Sequence, residues 1–216
     1  MTGKAVIYFQ ARSRGASLPV CVFSDYYDRR SESPMIIALA GRRVDGVDAK
    51  QDRFPARNVE IVRERIRIVL QNHGATVLVS SAACGADLLA LSEAGRLGLR
   101  RRIVLPFARE KFRATSVTDR PGDWGPLYDR VLAEVERKGD LLVIQLKSGD
   151  AAYADANRVI VEEALSLGLK LQQSVTAVMV WDGRSRGEGD LTEEFGVYAG
   201  NKGVPVIDVT TGSGTH

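Results

Sequence analysis

Short apolar runs alternate along the chain with segments whose apolar residues recur at helical spacing. The runs are continuous rather than alternating in polarity, which is typical of strands buried on both faces of a sheet. They occupy residues 35–41, 75–80, 102–107, 141–146, 175–181 and 204–209. Between the first two runs, Val59, Val62, Ile66 and Val69 predict an amphipathic helix, and similar segments separate the later runs. This order predicts an α/β fold, a Rossmann-like three-layer sandwich with a mostly parallel sheet.

The regular pattern begins at Met35, and the preceding residues differ from it. In residues 1–34, two short apolar runs are separated by polar, turn-forming sequence. Three interpretations stay open: a hairpin, a loosely attached arm, or a misassigned start codon with Met35 as the true first residue. We therefore expect an N-terminal extension over 1–34, a Rossmann-like domain over 35–210 and a flexible tail over 211–216.

Residues 107–125 separate the third strand from a helix that Pro126 is expected to open. Charged, hydroxyl-bearing and turn-forming residues predominate here, and they predict a long irregular stretch. A loop of this length in a compact domain is usually functional, often as a lid. One hypothesis is that the loop closes over a ligand, with Arg120 in contact with it. The alternative is a surface loop made of turns.

Composition narrows the classes of function. The 216 residues contain 30 Lys and Arg against 27 Asp and Glu, a formal net charge of +3. This charge suits an anionic ligand and is a weak electrostatic footprint for nucleic acid. The only histidines are His73 and His216, which disfavours histidine-based zinc sites and Ser-His-Asp hydrolysis. We expect no metal site and no cofactor.

Length and cysteine usage indicate the compartment. No apolar run reaches the roughly 18 to 20 residues that a membrane-spanning helix needs, and the first residues lack the long apolar core of a secretory signal. The two cysteines, Cys21 and Cys84, do not form a disulfide framework. We therefore expect a cytoplasmic protein with no membrane contact.

The residues that follow the first strand are candidates for binding an anion, because parallel α/β sheets bind ligands beyond the carboxyl ends of their strands. Gly41 would let the backbone approach a ligand closely. Arg42 and Arg43 come next, and a guanidinium can bind phosphate or carboxylate through two hydrogen bonds. The alternative is a glycine turn followed by solvated arginines.

The bend after the second strand has small residues in front of a predicted helix. Exposed amides at the start of the helix would form an anion site, Ser80 and Ser81 would add hydroxyl donors, and Ala83, Cys84 and Gly85 leave room for a ligand. We expect this bend, with Asp87 among its ligand-binding residues, to bind phosphate or ribose. The alternative is a tight turn in which Asp87 caps the helix. Cys84 as a nucleophile would need a partner that lowers its pKa, and a buried thiol is the expectation.

A second glycine-containing bend follows the fifth strand. Gly187, Gly189 and Thr192 suit another phosphate cradle at a helix start. Asp182 and Glu193 are candidates for general acid or base chemistry. Glu193 also has a structural explanation, because carboxylates are favourable in the first turn of a helix.

On the helix after the fourth strand, Asn157 could bind a base or ribose and Arg158 a phosphate, although on a solvent-exposed face both would be inert. Both lie in Ala156–Ile160, which is similar to the "RNRII" segment of DNA processing protein A. Residues 80–90 resemble that family's "SGxAxGID" turn. Residues 187–193 resemble the "GGxGTxxE" motif of the LOG phosphoribohydrolases, with Arg186 in place of the first glycine and Asp190 in place of the threonine. From about Met35 to Val209, the chain resembles the SLOG superfamily of Rossmann-like proteins, as a separate subfamily.

The resemblance implies three hypotheses about function. The first is a SLOG-type protein that binds a nucleotide, a nucleotide-derived signal or another phosphate-bearing small molecule, as a homo-oligomer. The second is a LOG-like hydrolase that cleaves the N-glycosidic bond of nucleoside 5′-monophosphates, with Glu193 and Arg158 as catalytic residues. The third, single-stranded DNA binding, is the least favoured at a net charge of +3. The binding hypothesis requires the bends 80–85 and 187–193 to converge on one anionic ligand.

Overall fold

A computed structural model of the chain describes residues 33–147 and 149–213. The expectations for residues 1–32 and for the end of the C-terminal tail, 214–216, lie outside these residues. Among the described residues, no helix is both long enough and apolar enough to cross a membrane.

Parallel strands form the centre of the fold. They are β1 (Met35–Gly41), β2 (Ala75–Ser80), β3 (Arg100–Leu105), β4 (Leu141–Val143), β5 (Ser174–Trp181) and β6 (Val206–Thr210). Their order in the sheet is β4-β3-β2-β1-β5-β6, and each neighbouring pair is parallel. The chain therefore winds outward from β1 to β4 and then returns to place β5 on the other side of β1. The carboxyl ends of β1 and β5 form the topological switch point, where sheets of this kind bind ligands.

Helices cover both faces of the sheet. They are α1 (Val59–Asn72), α2 (Ala86–Arg96), α3 (Arg109–Ser116), α4 (Trp124–Glu136), α5 (Asp150–Leu171) and α6 (Leu191–Asn201), with a short 3-10 helix at Ala56–Asn58. The apolar residues of α1 to α4 form a core with one face of the sheet, and those of α5 and α6 form a core with the other. The predicted three-layer α/β sandwich is confirmed, with a sheet whose six strands are all parallel.

The register of β1 explains its continuous apolar sequence. Ile37 and Leu39 pack in the core under α1 to α4, whereas Ile36 and Ala38 pack in the core under α5 and α6. All four side chains are fully buried. Since successive side chains of a strand point to opposite faces, a strand covered on both sides must be apolar at every position.

The prediction of an irregular stretch over 107–125 is wrong, because α3 occupies eight of these residues and α4 begins at Trp124. Two buried residues, Phe112 and Ser116, hold α3 on the domain, and the rest of this helix is polar apart from Ala114. So narrow a buried face leaves little periodic signal in the sequence. The long helix α5 continues past Gly168 to Leu171, and Gln172 ends it in the left-handed conformation.

Candidate functional site

A cleft of about 350 Å³ opens at the carboxyl ends of β1 and β2, beside the switch point. Three groups of residues line it: the segment after β1, the bend between β2 and α2, and the bend before α6. They are completed by the end of α3, by Arg120 and by one face of α5. The lining residues include Gly41, Arg42, Arg43, Asp45, Ser81, Ala83, Asp87, Phe112, Ser116, Arg120, Tyr153, Asn157, Arg186, Gly189 and Thr192. The bends 80–85 and 187–193 therefore meet at one cleft.

Two glycines let the segments around the cleft approach each other. A Cβ at Gly41 would lie 2.5 Å from the Ala86 Cβ and 2.6 Å from the Val180 carbonyl oxygen. Gly85, the N-cap of α2, has φ +89°, and a Cβ there would lie 2.8 Å from the Arg42 carbonyl oxygen. Both glycines serve close backbone packing, and Gly85 does not line the cleft.

Arg42 is a buried clamp between the two sides of the switch point. Its guanidinium donates to both carboxylate oxygens of Asp190 at 2.6 and 2.7 Å, to Asp182 at 3.3 Å and to the Arg184 carbonyl at 2.8 Å. Its side chain is 2% exposed. The expectation that Arg42 is free to bind a ligand phosphate is corrected, because carboxylates of the chain itself already occupy its donors. Asp182 is held in the same cluster and does not line the cleft.

Asp190 occupies the anion position at the start of α6. Its carboxylate accepts hydrogen bonds from the backbone amides of Arg186, Thr192 and Glu193. Burial opposes the charge of Asp190, but the bonds from Arg42 and these amides lower its pKa to about 2. The expected phosphate cradle at Gly187, Gly189 and Thr192 is therefore corrected: the amides at this helix start are satisfied by an aspartate of the chain.

Arg186 stands at the cleft without a partner. Within the described residues, its guanidinium makes no hydrogen bond and no ion pair. Burial lowers its pKa, as do the neighbouring charges of Arg42 and Arg53, while Asp190 and Asp182 oppose this shift. Three guanidinium groups thus face two carboxylates in this cluster, and one positive charge is not neutralised.

On the opposite wall, two more arginines share one carboxylate. Arg43 donates to Asp119 at 2.7 and 3.0 Å and to the Thr115 carbonyl at 3.2 Å. Arg120 lies 3.6 Å from the same carboxylate. All three side chains are about 30% exposed, so solvent and a ligand can reach them. The Asp119 carboxylate is therefore shared between two guanidinium groups, and neither has it to itself.

The bend between β2 and α2 divides into cleft and core residues. Ser81 and Asp87 line the cleft, whereas Ser80 and Cys84 are fully buried. Burial raises the pKa of the Cys84 thiol to about 12, so this cysteine is not a nucleophile. The amides of Cys84 and Ala86 donate to the carbonyls of Ser116 and Arg42. The start of α2 therefore offers a ligand fewer free amides than the sequence suggested.

Asp87 is a nearly buried acid on the cleft wall. Its side chain does not cap α2, whose N-cap is Gly85. Oδ2 accepts from the Ala83 amide at 3.2 Å, and Oδ1 has no hydrogen-bond partner in the described part of the chain. Burial raises the pKa of Asp87 to about 7, against the opposing effects of the Ala83 and Gly41 amides and the Arg43 charge.

Polar side chains from α3 and α5 complete the cleft. The Tyr153 hydroxyl lies 3.1 Å from the Ser116 hydroxyl and 3.2 Å from that of Thr115. The Asn157 amide nitrogen donates to the Leu191 carbonyl at 2.9 Å, which ties α5 to the start of α6. Asn157 thus lines the cleft as expected, with one of its donors already bonded.

Glu193 and Arg158 lie at a neighbouring cleft of about 680 Å³ between α5 and α6, which Gly187 also lines. The Glu193 carboxylate accepts a hydrogen bond from the Ser185 hydroxyl. Arg158 pairs with Asp155 at 2.9 Å, and more than half of its side chain is exposed. Neither residue lines the cleft at the switch point.

Several residues that line the cleft lie outside the predicted site, among them Arg186, Tyr153, Ser116 and Asp45. In the sequence, Arg186 stands out only as the residue in place of a motif glycine, although a cation inside a predicted phosphate bend is itself a signal. Tyr153 lies in a segment that predicts no more than a helix, and Ser116 lies in a stretch predicted to be irregular. Within 33–147 and 149–213, no group of His, Cys, Asp and Glu is arranged to hold a metal ion.

No protein-family model and no curated protein matches the sequence. Among solved structures, DNA processing protein A from Streptococcus pneumoniae is similar at 14% identity and a TM-score of 0.36, over 81% of this chain. This chain spans 58% of the length of that protein. The Moco carrier protein from Chlamydomonas reinhardtii is similar at 15% identity and a TM-score of 0.31, over 83% of this chain and 91% of that one. Likenesses of this size carry no argument about what the cleft holds.

Proposed function

We propose that this chain is a SLOG-type protein that binds a nucleotide or a nucleotide-derived signal in the cleft at the switch point. The observation that carries the proposal is the set of arginine donors at the cleft that the described chain does not fully use. Arg186 has no partner within the described residues, and Arg43 and Arg120 share the single carboxylate of Asp119. An arginine without a partner at a cleft is a site for phosphate or carboxylate.

The place and size of the cleft support the same proposal. It lies beyond the carboxyl ends of parallel strands and beside the point where the sheet reverses its winding, which is where α/β sheets hold nucleotides. Its volume of about 350 Å³ lies within the range of small-molecule sites. In this proposal the phosphate contacts guanidinium groups rather than the helix starts, where Asp190 and the Arg42 carbonyl already accept hydrogen bonds.

Binding is favoured over hydrolysis because of the position of Glu193. A hydrolase of the LOG type would need this carboxylate beside the base–ribose bond of the bound nucleotide. Glu193 instead lines the neighbouring cleft together with Arg158. Single-stranded DNA binding has less support, since the whole chain carries a net charge of only +3.

Isothermal titration calorimetry with the four nucleoside 5′-monophosphates, the corresponding nucleosides and inorganic phosphate tests the proposal. We expect a monophosphate to bind and its nucleoside to bind at least about tenfold more weakly, because a charge-assisted contact is worth about 1.5–3 kcal/mol. Arg186→Gln is expected to weaken binding of the monophosphate by a similar factor. Arg158→Gln, the matched control outside the cleft, is expected to bind like the wild type.

Other results would reject the proposal in different ways. Equal binding of nucleotide and nucleoside would exclude phosphate recognition by the cleft arginines. Release of free base from a monophosphate, abolished by Glu193→Ala, would favour the hydrolase. Tight binding of single-stranded oligonucleotides that weakens steeply with salt would favour DNA as the ligand.

A further inference from the structure

Asp87 presents a hydrogen-bond acceptor that the described chain leaves unused. The side chain is 6% exposed, and Oδ1 is buried without a partner. Oδ2 accepts from the Ala83 amide. Asp45, the other aspartate on the cleft wall, differs because its carboxylate accepts from the amides of Arg53 and Phe54, each at 3.0 Å. Of these two aspartates, it is therefore Asp87 whose carboxylate has an oxygen without a hydrogen-bond donor in the described chain.

An unpaired buried carboxylate oxygen is unfavourable, and a partner that enters the cleft would relieve the cost. The neighbours of the Asp87 carboxylate include the amides of Ala83 and Gly41 and the charge of Arg43. Arg43 is one of the arginines that would hold the phosphate. In a nucleoside 5′-monophosphate the sugar is bonded directly to the phosphate, so a phosphate held at Arg43 brings the sugar, rather than the base, closest to Asp87. The geometry therefore favours a sugar hydroxyl as the missing donor.

We infer that Asp87 selects ribose, with Oδ1 accepting a hydrogen bond from the 2′- or 3′-hydroxyl of the bound nucleotide. This inference rests on the proposed function, since the arginines on the two walls would hold the phosphate of the same ligand. Asp87 then acts as a specificity determinant: it contributes little to the binding of a phosphate alone and discriminates against nucleotides that lack the sugar hydroxyls. A site built around a buried polar group rejects an analogue that leaves this group unpaired.

The test compares the nucleoside 5′-monophosphates with their 2′,3′-dideoxy forms by calorimetry at pH 8. For the wild type, we expect the dideoxy form to bind at least about tenfold more weakly. In Asp87→Ala, both forms are expected to bind with similar affinity, while inorganic phosphate binds at least as tightly as it does to the wild type, because Arg43 loses a neighbouring negative charge. Asp45→Asn, the control on the same cleft wall, is expected to keep the wild-type preference. The wild-type comparison stands even if Asp87→Ala does not fold.

The results separate this inference from the function on which it rests. If both nucleotide forms bind the wild type equally well, the inference is overturned and the proposed function stands. If the preference for ribose persists in Asp87→Ala, another residue contacts the sugar hydroxyls and the inference is again overturned. If no nucleotide binds the wild type, both fail. A preference for ribose that disappears in Asp87→Ala and remains in Asp45→Asn supports the inference.

Discussion

The raised pKa of Asp87 should make the stability of the free protein fall as the pH rises. In the folded chain this carboxyl titrates near pH 7, because burial disfavours its charged form, and its ordinary value is 3.8. Between these two values, the unfolded chain has released the proton and the folded chain still holds it. Unfolding is therefore increasingly favoured as the pH rises from about 4 to about 7.

The size of this effect follows from the two pKa values. Each pH unit between them changes the free energy of unfolding by about 1.4 kcal/mol, so the whole interval is worth about 4 kcal/mol. Above pH 7 the contribution is constant. Asp87→Asn has no group to titrate at this position. Its stability relative to the wild type should therefore increase by about 4 kcal/mol from pH 4 to pH 8.

Urea unfolding at pH 4, 5, 6, 7 and 8, followed by the fluorescence of Trp124 and Trp181, measures this difference. The comparison concerns slopes, so a constant loss of stability from the new amide group does not affect it. Ser81→Ala, which perturbs the same cleft without removing a titratable group, should keep the wild-type slope. If the free energy of unfolding changes with pH in the same way for the wild type and Asp87→Asn, the prediction is refuted, because Asp87 would then have the same pKa in the folded and the unfolded chain.

Three further predictions concern the residues around the cleft. Asp119→Asn should tighten the binding of inorganic phosphate about fivefold in calorimetry, since Arg43 and Arg120 lose a competing anion; weaker binding would contradict this. Gly85→Ala should lower the free energy of unfolding by about 3 kcal/mol, because the new Cβ would meet the backbone of Arg42 and Val44. Gly98→Ala, at a glycine with a similar φ but open space around it, should lower it by only about 1 kcal/mol. Equal losses in urea unfolding would contradict this prediction. In a Cys21→Ser variant, a thiol reagent at pH 8 should label Cys84 only after the protein unfolds, because burial raises the pKa of the Cys84 thiol to about 12. Rapid labelling of the folded protein would contradict this prediction.

The sheet could be predicted from the sequence because its strands are buried on both faces. Ile36 and Ile37, on opposite faces of β1, are both fully buried, and only a sandwich with helices on both sides makes such a run favourable. By contrast, α3 was missed because it buries little more than Phe112. Its place is set by contacts of Phe112 with Phe107, which lies just before the helix, and with Tyr128 and Tyr153, which lie on α4 and α5.

The topology of the sheet predicts which bends lie at the candidate site, but the sequence does not predict which of the charged side chains there pair with each other. Bends that follow parallel strands share one edge of the sheet, so Ser81 and Gly189 could be expected to lie near each other. No local pattern showed that Arg42 would pair with Asp190, because these residues are 148 positions apart in sequence. Which arginines are free therefore depends on the long-range pairing of acids and bases, and this pairing emerges only when the chain is folded.

The aspartate at position 190 has consequences for the whole cleft. In the motif that residues 187–193 resemble, a threonine stands at this position. Here the Asp190 carboxylate accepts from the amides of Thr192 and Glu193 and pairs with Arg42. A ligand phosphate at the same place would meet a negative charge. Among the cleft residues that the structure describes, the cation without a partner is Arg186. The chain therefore closes the backbone anion site at the start of α6 with its own carboxylate and places a guanidinium beside it.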